Sequence, residues 1–121
     1  MKNKLTLNSI SSSDVDLKYW YPIANEEVFV CLDLDIGFSD GNDGSNMFYV
    51  TLATPESLTK HRNGAVLVKN RTIVISEYEY DLVLKLILEI LANCSRETWD
   101  ESCQVLQRYF QWEYEDYSSD H

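Results

Sequence analysis

The sequence predicts an α+β domain: an antiparallel sheet of about four to five strands, two main helices in the C-terminal half and one short helix among the strands. Three observations predict it. Val28, Val30, Leu32, Leu34 and Ile36 alternate with Phe29, Cys31, Asp33 and Asp35, the period of two of a strand with one buried face. A segment rich in glycine and aspartate, Gly37 to Ser45, separates this run from a second one, Met47 to Thr54, as a hairpin connection does. After Tyr80 the period changes: Asp81, Lys85 and Glu89 recur every four residues in a stretch otherwise dominated by Leu, Ile and Val.

The elements follow in chain order. Lys4 to Ile10 alternate weakly and form a first strand, which Ser11-Ser12-Ser13-Asp14 breaks. The two alternating runs make the central hairpin. Thr54-Pro55-Glu56 then supplies an N-cap residue, a proline for the first helical position and an acid for the first turn, so Pro55 to Arg62 is a short helix that Asn63-Gly64 ends. Val66 to Val68 and Thr72 to Ser76 are β-branched runs around Lys69-Asn70-Arg71, either one more hairpin or one irregular strand. Tyr80 to Asn93 is the clearest helix, and its single polar stripe implies burial on most other sides. Thr98 and Glu101 have capping-box spacing for a second helix, with Trp99, Cys103, Leu106 and Phe110 on one face. The tail from Gln111 through Glu115 alternates aromatic and acidic residues, as an extended segment does.

Composition bounds the function. The chain has 121 residues, suiting a single domain over 1–121, and 45% are hydrophobic, which excludes a disordered chain. Twenty acids against ten bases give a net charge of −10, so neither nucleic acid nor an anionic membrane is an expected partner, since both are held by Lys and Arg. The charge is uneven. Residues 33–43 carry Asp33, Asp35, Asp40 and Asp43 with no base, and residues 97–121 carry seven acids against Arg108 alone. Three cysteines, Cys31, Cys94 and Cys103, form no CxxC pair and give no disulfide framework; Cys94 and Cys103 are expected in the core. The N-terminus lacks the apolar stretch of a secretory signal, and the apolar run Leu82 to Ala92 is too short to span a membrane, so a cytoplasmic location is expected.

Catalytic signatures are missing. His61 and His121 belong to no HExxH or Cys/His set, and no GxSxG, P-loop or GxGxxG occurs. Asp33-Leu34-Asp35 opens like a calcium loop but fails at Gly37, Phe38 and Gly44, leaving only a weak cation site conceivable around Asp40 to Gly44. Glu113 and Glu115, on one face of an extended strand, have a separation of about 6.6 Å that suits a carboxylate pair, although surface acids commonly share that spacing. Neither catalysis nor a cofactor or metal is expected. Acids interleaved with Trp and Tyr instead form a surface that docks a basic partner.

The tail Trp112-Glu113-Tyr114-Glu115-Asp116-Tyr117 resembles the Trp-Glu-Phe-Glu-Asp-Tyr of the immunity protein 8 family. Trp99-Asp100-Glu101, Arg108-Tyr109-Phe110, Thr54-Pro55 with Leu58, Ile36-Gly37, Asp16-Leu17 with Pro22, and Glu77-Tyr78 with Tyr80-Asp81 fall in the family's order, so the resemblance runs from about Asp14 to Tyr117. Tyr114 stands for the usual Phe, Ala53 for the Cys expected before Thr-Pro, and Lys69-Asn70-Arg71 where a glycine is usual. The resemblance implies a non-catalytic inhibitor, from the polymorphic-toxin and contact-dependent inhibition systems of bacteria, that binds the toxin domain encoded beside it. The partner is then a basic toxin C-terminal domain, often a nuclease, bound by a monomer or weak homodimer. Glu113, Glu115, Asp116 and Tyr117 are the expected contact surface, with Asp33, Asp35, Asp40 and Asp43 as a second patch; Trp99, Trp112, Tyr114, Thr54, Pro55 and Gly37 are motif residues that serve the fold. A small regulatory or scaffold domain that binds a basic protein unrelated to a toxin is the alternative.

Overall fold

The computed structural model describes residues 4–39, 45–61 and 71–114. In chain order these form β1 (Leu5–Ser11), a 3-10 turn (Asn25–Glu27), β2 (Phe29–Phe38), β3 (Asn46–Ala53), α1 (Pro55–His61), β4 (Thr72–Val74), α2 (Tyr80–Cys94), α3 (Trp99–Leu106) and β5 (Gln111–Trp112). The fold is α+β, as expected. The sheet runs β1-β2-β3-β4, with β5 also on β3.

The alternating run behaves as its period requires. β2 lies antiparallel between β1 and β3, in a register that sets Leu34 opposite Ile10 and Phe48, and Asp33 opposite Ser11 and Tyr49. Val28, Val30, Leu32, Leu34 and Ile36 are all buried. They share a core with Phe48, Val50 and Leu52 of β3, with Val83, Ile87, Leu91 and Cys94 of α2, and with Cys103, Leu106 and Phe110 around α3. Phe48 is its aromatic centre: Trp99 meets it edge-on at 6.3 Å and Trp112 stacks on it at 6.4 Å.

Both helix starts are built from the predicted caps. Thr54 Oγ1 accepts the Ser57 N–H at 3.1 Å, satisfying a first-turn donor, while Ser57 Oγ accepts the Thr54 N–H at 3.0 Å, a donor shared with the Val28 carbonyl at 3.2 Å; Pro55 takes the first helical position. Ala53 is fully buried beside this cap, a site that suits a small side chain. At α3, Thr98 Oγ1 accepts from the Glu101 N–H and donates to its carboxylate. Thr98→Ala is expected to cost about 1 kcal/mol, read from the urea midpoint at unchanged slope.

The structure corrects the sequence reading at five places. Gly37 does not open the connection after β2: the strand continues through Phe38, and Gly37 is buried opposite Thr6. The sheet is not antiparallel throughout. β4 runs parallel to β3, with Thr72 opposite Thr51 and Val74 opposite Ala53. The helix between the two strands explains this, because a helical crossover returns the chain in the direction it left. Val66 to Val68, the other half of that expected hairpin, lie outside the described residues. The α2 helix is not buried on most sides; Leu82, Leu86 and Leu88 are 50%, 36% and 47% exposed. A helix laid on one sheet face buries one stripe, here Val83, Ile87, Leu91 and Cys94. The predicted apolar face of α3 continues past its end: Phe110 is buried, but after a turn that follows Leu106. The tail stops being a strand after Trp112: Glu113 and Tyr114 form a turn, and Glu115, the other half of the expected carboxylate pair, lies outside the described residues.

Candidate functional site: an acidic sheet face

The period that buries Leu32, Leu34 and Ile36 turns Asp33 and Asp35 to the opposite face of β2, away from α2 and α3. On β3 the same rule turns Met47 and Tyr49 that way, and cross-strand pairing sets Asp35 beside Met47 and Asp33 beside Tyr49. β5 then adds Gln111 opposite Tyr49. One residue on, the chain is fastened to β3 twice, for the Glu113 N–H donates to the Met47 carbonyl at 3.0 Å and the Glu113 carboxylate accepts the Met47 N–H.

Asp33 and Asp35, from one stretch of sequence, and Glu113, from another, thus converge around Met47 and Tyr49 on one sheet face. Burial and the same convergence raise the acidic groups beside it. The Tyr49 phenol is raised by burial and then by the negative fields of Glu113 and Asp33. The Cys31 thiol, two residues before Asp33, is raised by burial, by Asp33 and by Asp14, and it donates a long hydrogen bond to Asp33 Oδ1 at 3.9 Å. Asp14 reaches this edge because its carboxylate accepts the Cys31 N–H at 2.9 Å. Asn8, left out of the strand pairing, leans across to Asp35.

Glu113 has two roles in this geometry. One carboxylate oxygen closes the β3 ladder, while its charge joins those of Asp33 and Asp35. Trp112 is a core anchor, half-buried on Phe48, and its buried indole N–H has no partner among the described residues. Tyr114 packs edge-on to Trp112 at 5.4 Å and is 46% exposed, which accommodates a hydroxyl where the family usually has Phe. Trp99 packs on Phe38 and Phe48, so the motif tryptophans serve packing. Asp40, Asp43, Glu115, Asp116 and Tyr117 lie outside the described residues. Tyr49 and Cys31 carry no site signal in the sequence: the strand period sets Cys31 on the face of Asp33, but only the β2–β3 register sets Tyr49 opposite it.

Among the described residues no group of three or more His, Cys, Asp or Glu side chains could hold a metal ion. Cys94 and Cys103 are buried free thiols; burial pushes Cys103 up to about 11, which makes it a poor nucleophile at neutral pH. No helix among the described residues is long and apolar enough to cross a membrane.

The fold and this face define a small α+β domain whose distinguishing surface is an acidic patch on an open sheet. The sequence model of a family described as Immunity protein 8 matches residues 5–117, and the chain belongs to that family. It is therefore an immunity protein, a class that acts against a toxin and is generally non-enzymatic. No curated protein and no solved structure matches the chain.

Proposed function

We propose that this immunity protein neutralises its toxin in the cytoplasm by direct, non-covalent binding, with no catalytic step of its own and no cofactor. The gathering of Asp33, Asp35 and Glu113 on the sheet face turned away from the helices carries this reading. A carboxylate cluster on a chain of net charge −10 attracts a basic surface at long range and supplies charge-assisted hydrogen bonds to Arg and Lys at contact. Such a surface is what a nuclease must present, because its substrate is a polyanion. The toxin is then the C-terminal domain of a polymorphic or contact-dependent inhibition effector, and a monomer or weak homodimer covers it. Glu115, Asp116, Tyr117, Asp40 and Asp43 are proposed as further toxin contacts from the sequence alone.

Occlusion asks for an interface of about 800 Å² per partner and a few strong contacts, without any reacting group. The test is co-expression with the C-terminal toxin domain encoded immediately upstream of this chain. Survival of the cells together with co-elution of the two proteins supports the proposal. Death without a complex removes it.

A further inference from the structure

A second surface stands out from the first. Residues 12–24 link β1 to the 3-10 turn and carry the most exposed large apolar side chains described: Tyr19 at 80%, Tyr21 at 92% and Ile23 at 93%. The segment that carries them is fastened from below. Leu17 is buried, and its carbonyl accepts the Tyr78 hydroxyl. The Trp20 ring lies 4.7 Å from the Tyr78 ring, and the Asp16 carbonyl accepts the N–H groups of Tyr19 and Trp20. Beyond Ile23, the Asn25 amide donates to the Ser76 carbonyl at 3.1 Å and to Glu56 at 3.3 Å. Anchored at Leu17, Trp20 and Asn25, the chain holds Tyr19, Tyr21 and Ile23 outward.

The Asn25 bond also joins this loop to a groove of ≈ 380 Å³ between β4 and α2, which Ser76 lines with Val74, Leu82 and Leu86. Val74 and Leu82 are half exposed there. Acids flank the whole region: Glu26 and Glu27 follow the loop, Glu56 holds Asn25, and Glu77, Glu79 and Asp81 lead into α2, all of them exposed. Against these six stand Lys18, Lys85 and Lys60, the last paired with Glu26 at 3.6 Å. An aromatic and apolar centre within a polar rim is the anatomy of a protein interface, and the sign of this rim selects a basic partner.

We propose that Tyr19, Tyr21 and Ile23 are the anchoring contacts of the toxin interface, seated in an apolar depression of a basic protein surface. The inference rests on the toxin-binding function and assigns its parts: the acidic sheet face steers the encounter, and the loop holds the complex. The two surfaces are continuous, since the loop contains Asp14, whose carboxylate accepts the Cys31 N–H at the edge of the acidic face. Tyrosines pinned in a fastened loop lose little freedom on docking, which makes them strong anchors.

The experiment measures affinity and dissociation rate of the full chain, wild type and carrying Tyr21→Ser with Ile23→Ser, against the C-terminal toxin domain encoded immediately upstream. Both side chains are almost wholly exposed, so the melting temperature of the free protein should not change. The expected result is a Kd raised at least about 30-fold, chiefly through faster dissociation. A Kd within about twofold of wild type overturns the proposal while leaving toxin binding intact. Wild-type protein that does not bind removes both. Loss of a concentration-dependent homodimer in the variant, at unchanged toxin affinity, assigns the loop to a second copy of this chain and overturns the proposal as well.

Discussion

Asp33→Lys combined with Asp35→Lys is expected to weaken toxin binding at least about 100-fold, through the association rate first. Both side chains face away from the core on adjacent same-face positions of β2, so their reversal replaces two attractions by two repulsions at the centre of the acidic face. The fold should tolerate the change. The bonds at risk are the long contacts from Cys31 and Asn8, at 3.9 and 3.4 Å. The Cys31 thiol and the Tyr49 phenol should titrate lower in this variant, because Asp33 is among the groups that raise them. Salt gives an internal check. The difference from wild type should shrink between 0.1 and 1 M salt, as the screening length falls from about 10 Å to about 3 Å. Stopped-flow association at several salt concentrations reads both effects. An association rate unchanged at low salt places the contact elsewhere.

Phe48→Ala is expected to cost about 3–5 kcal/mol, a large share of the roughly 5–15 kcal/mol that holds a domain folded. Phe48 is fully buried on β3, with Trp99 against its edge and Trp112 stacked on its face. Removing the ring therefore leaves a cavity between two tryptophans, one of them held on β5. The loss is coupled to the acidic face, because Trp112 precedes Glu113, whose backbone and carboxylate both bind Met47. Equilibrium urea unfolding checks the stability loss. A cost below about 1 kcal/mol would mean that the aromatic cluster is not the centre of the core.

Much of this fold is legible in the sequence because it depends on local rules. The alternation from Val28 to Ile36 fixes which side of β2 is buried, and Thr54-Pro55 and Thr98 with Glu101 mark two helix starts. What escapes depends on layers and on distant partners. Three residues of β4 carry no information about direction; the parallel pairing follows from where α1 leads the chain. The leucines of α2 read as a helix buried on most sides, yet the sheet offers it one face, and Leu82, Leu86 and Leu88 remain outside. Asp33 and Glu113 read as separate patches because no local pattern foretells that a two-residue strand will pair with β3. Tyr19, Tyr21 and Ile23 left no signal at all, since an apolar residue in a loop looks the same whether it tucks inward or points out.

Neutralisation by binding is tested most directly by titrating the purified protein into a fixed amount of the upstream-encoded toxin domain while following toxin activity. The expected result is a linear fall to zero activity at one equivalent, with the two chains co-eluting as a complex. Toxin activity that persists with the protein in excess contradicts the account. So does complete inactivation by a small fraction of an equivalent, which would mean that the protein turns over and acts as a catalyst.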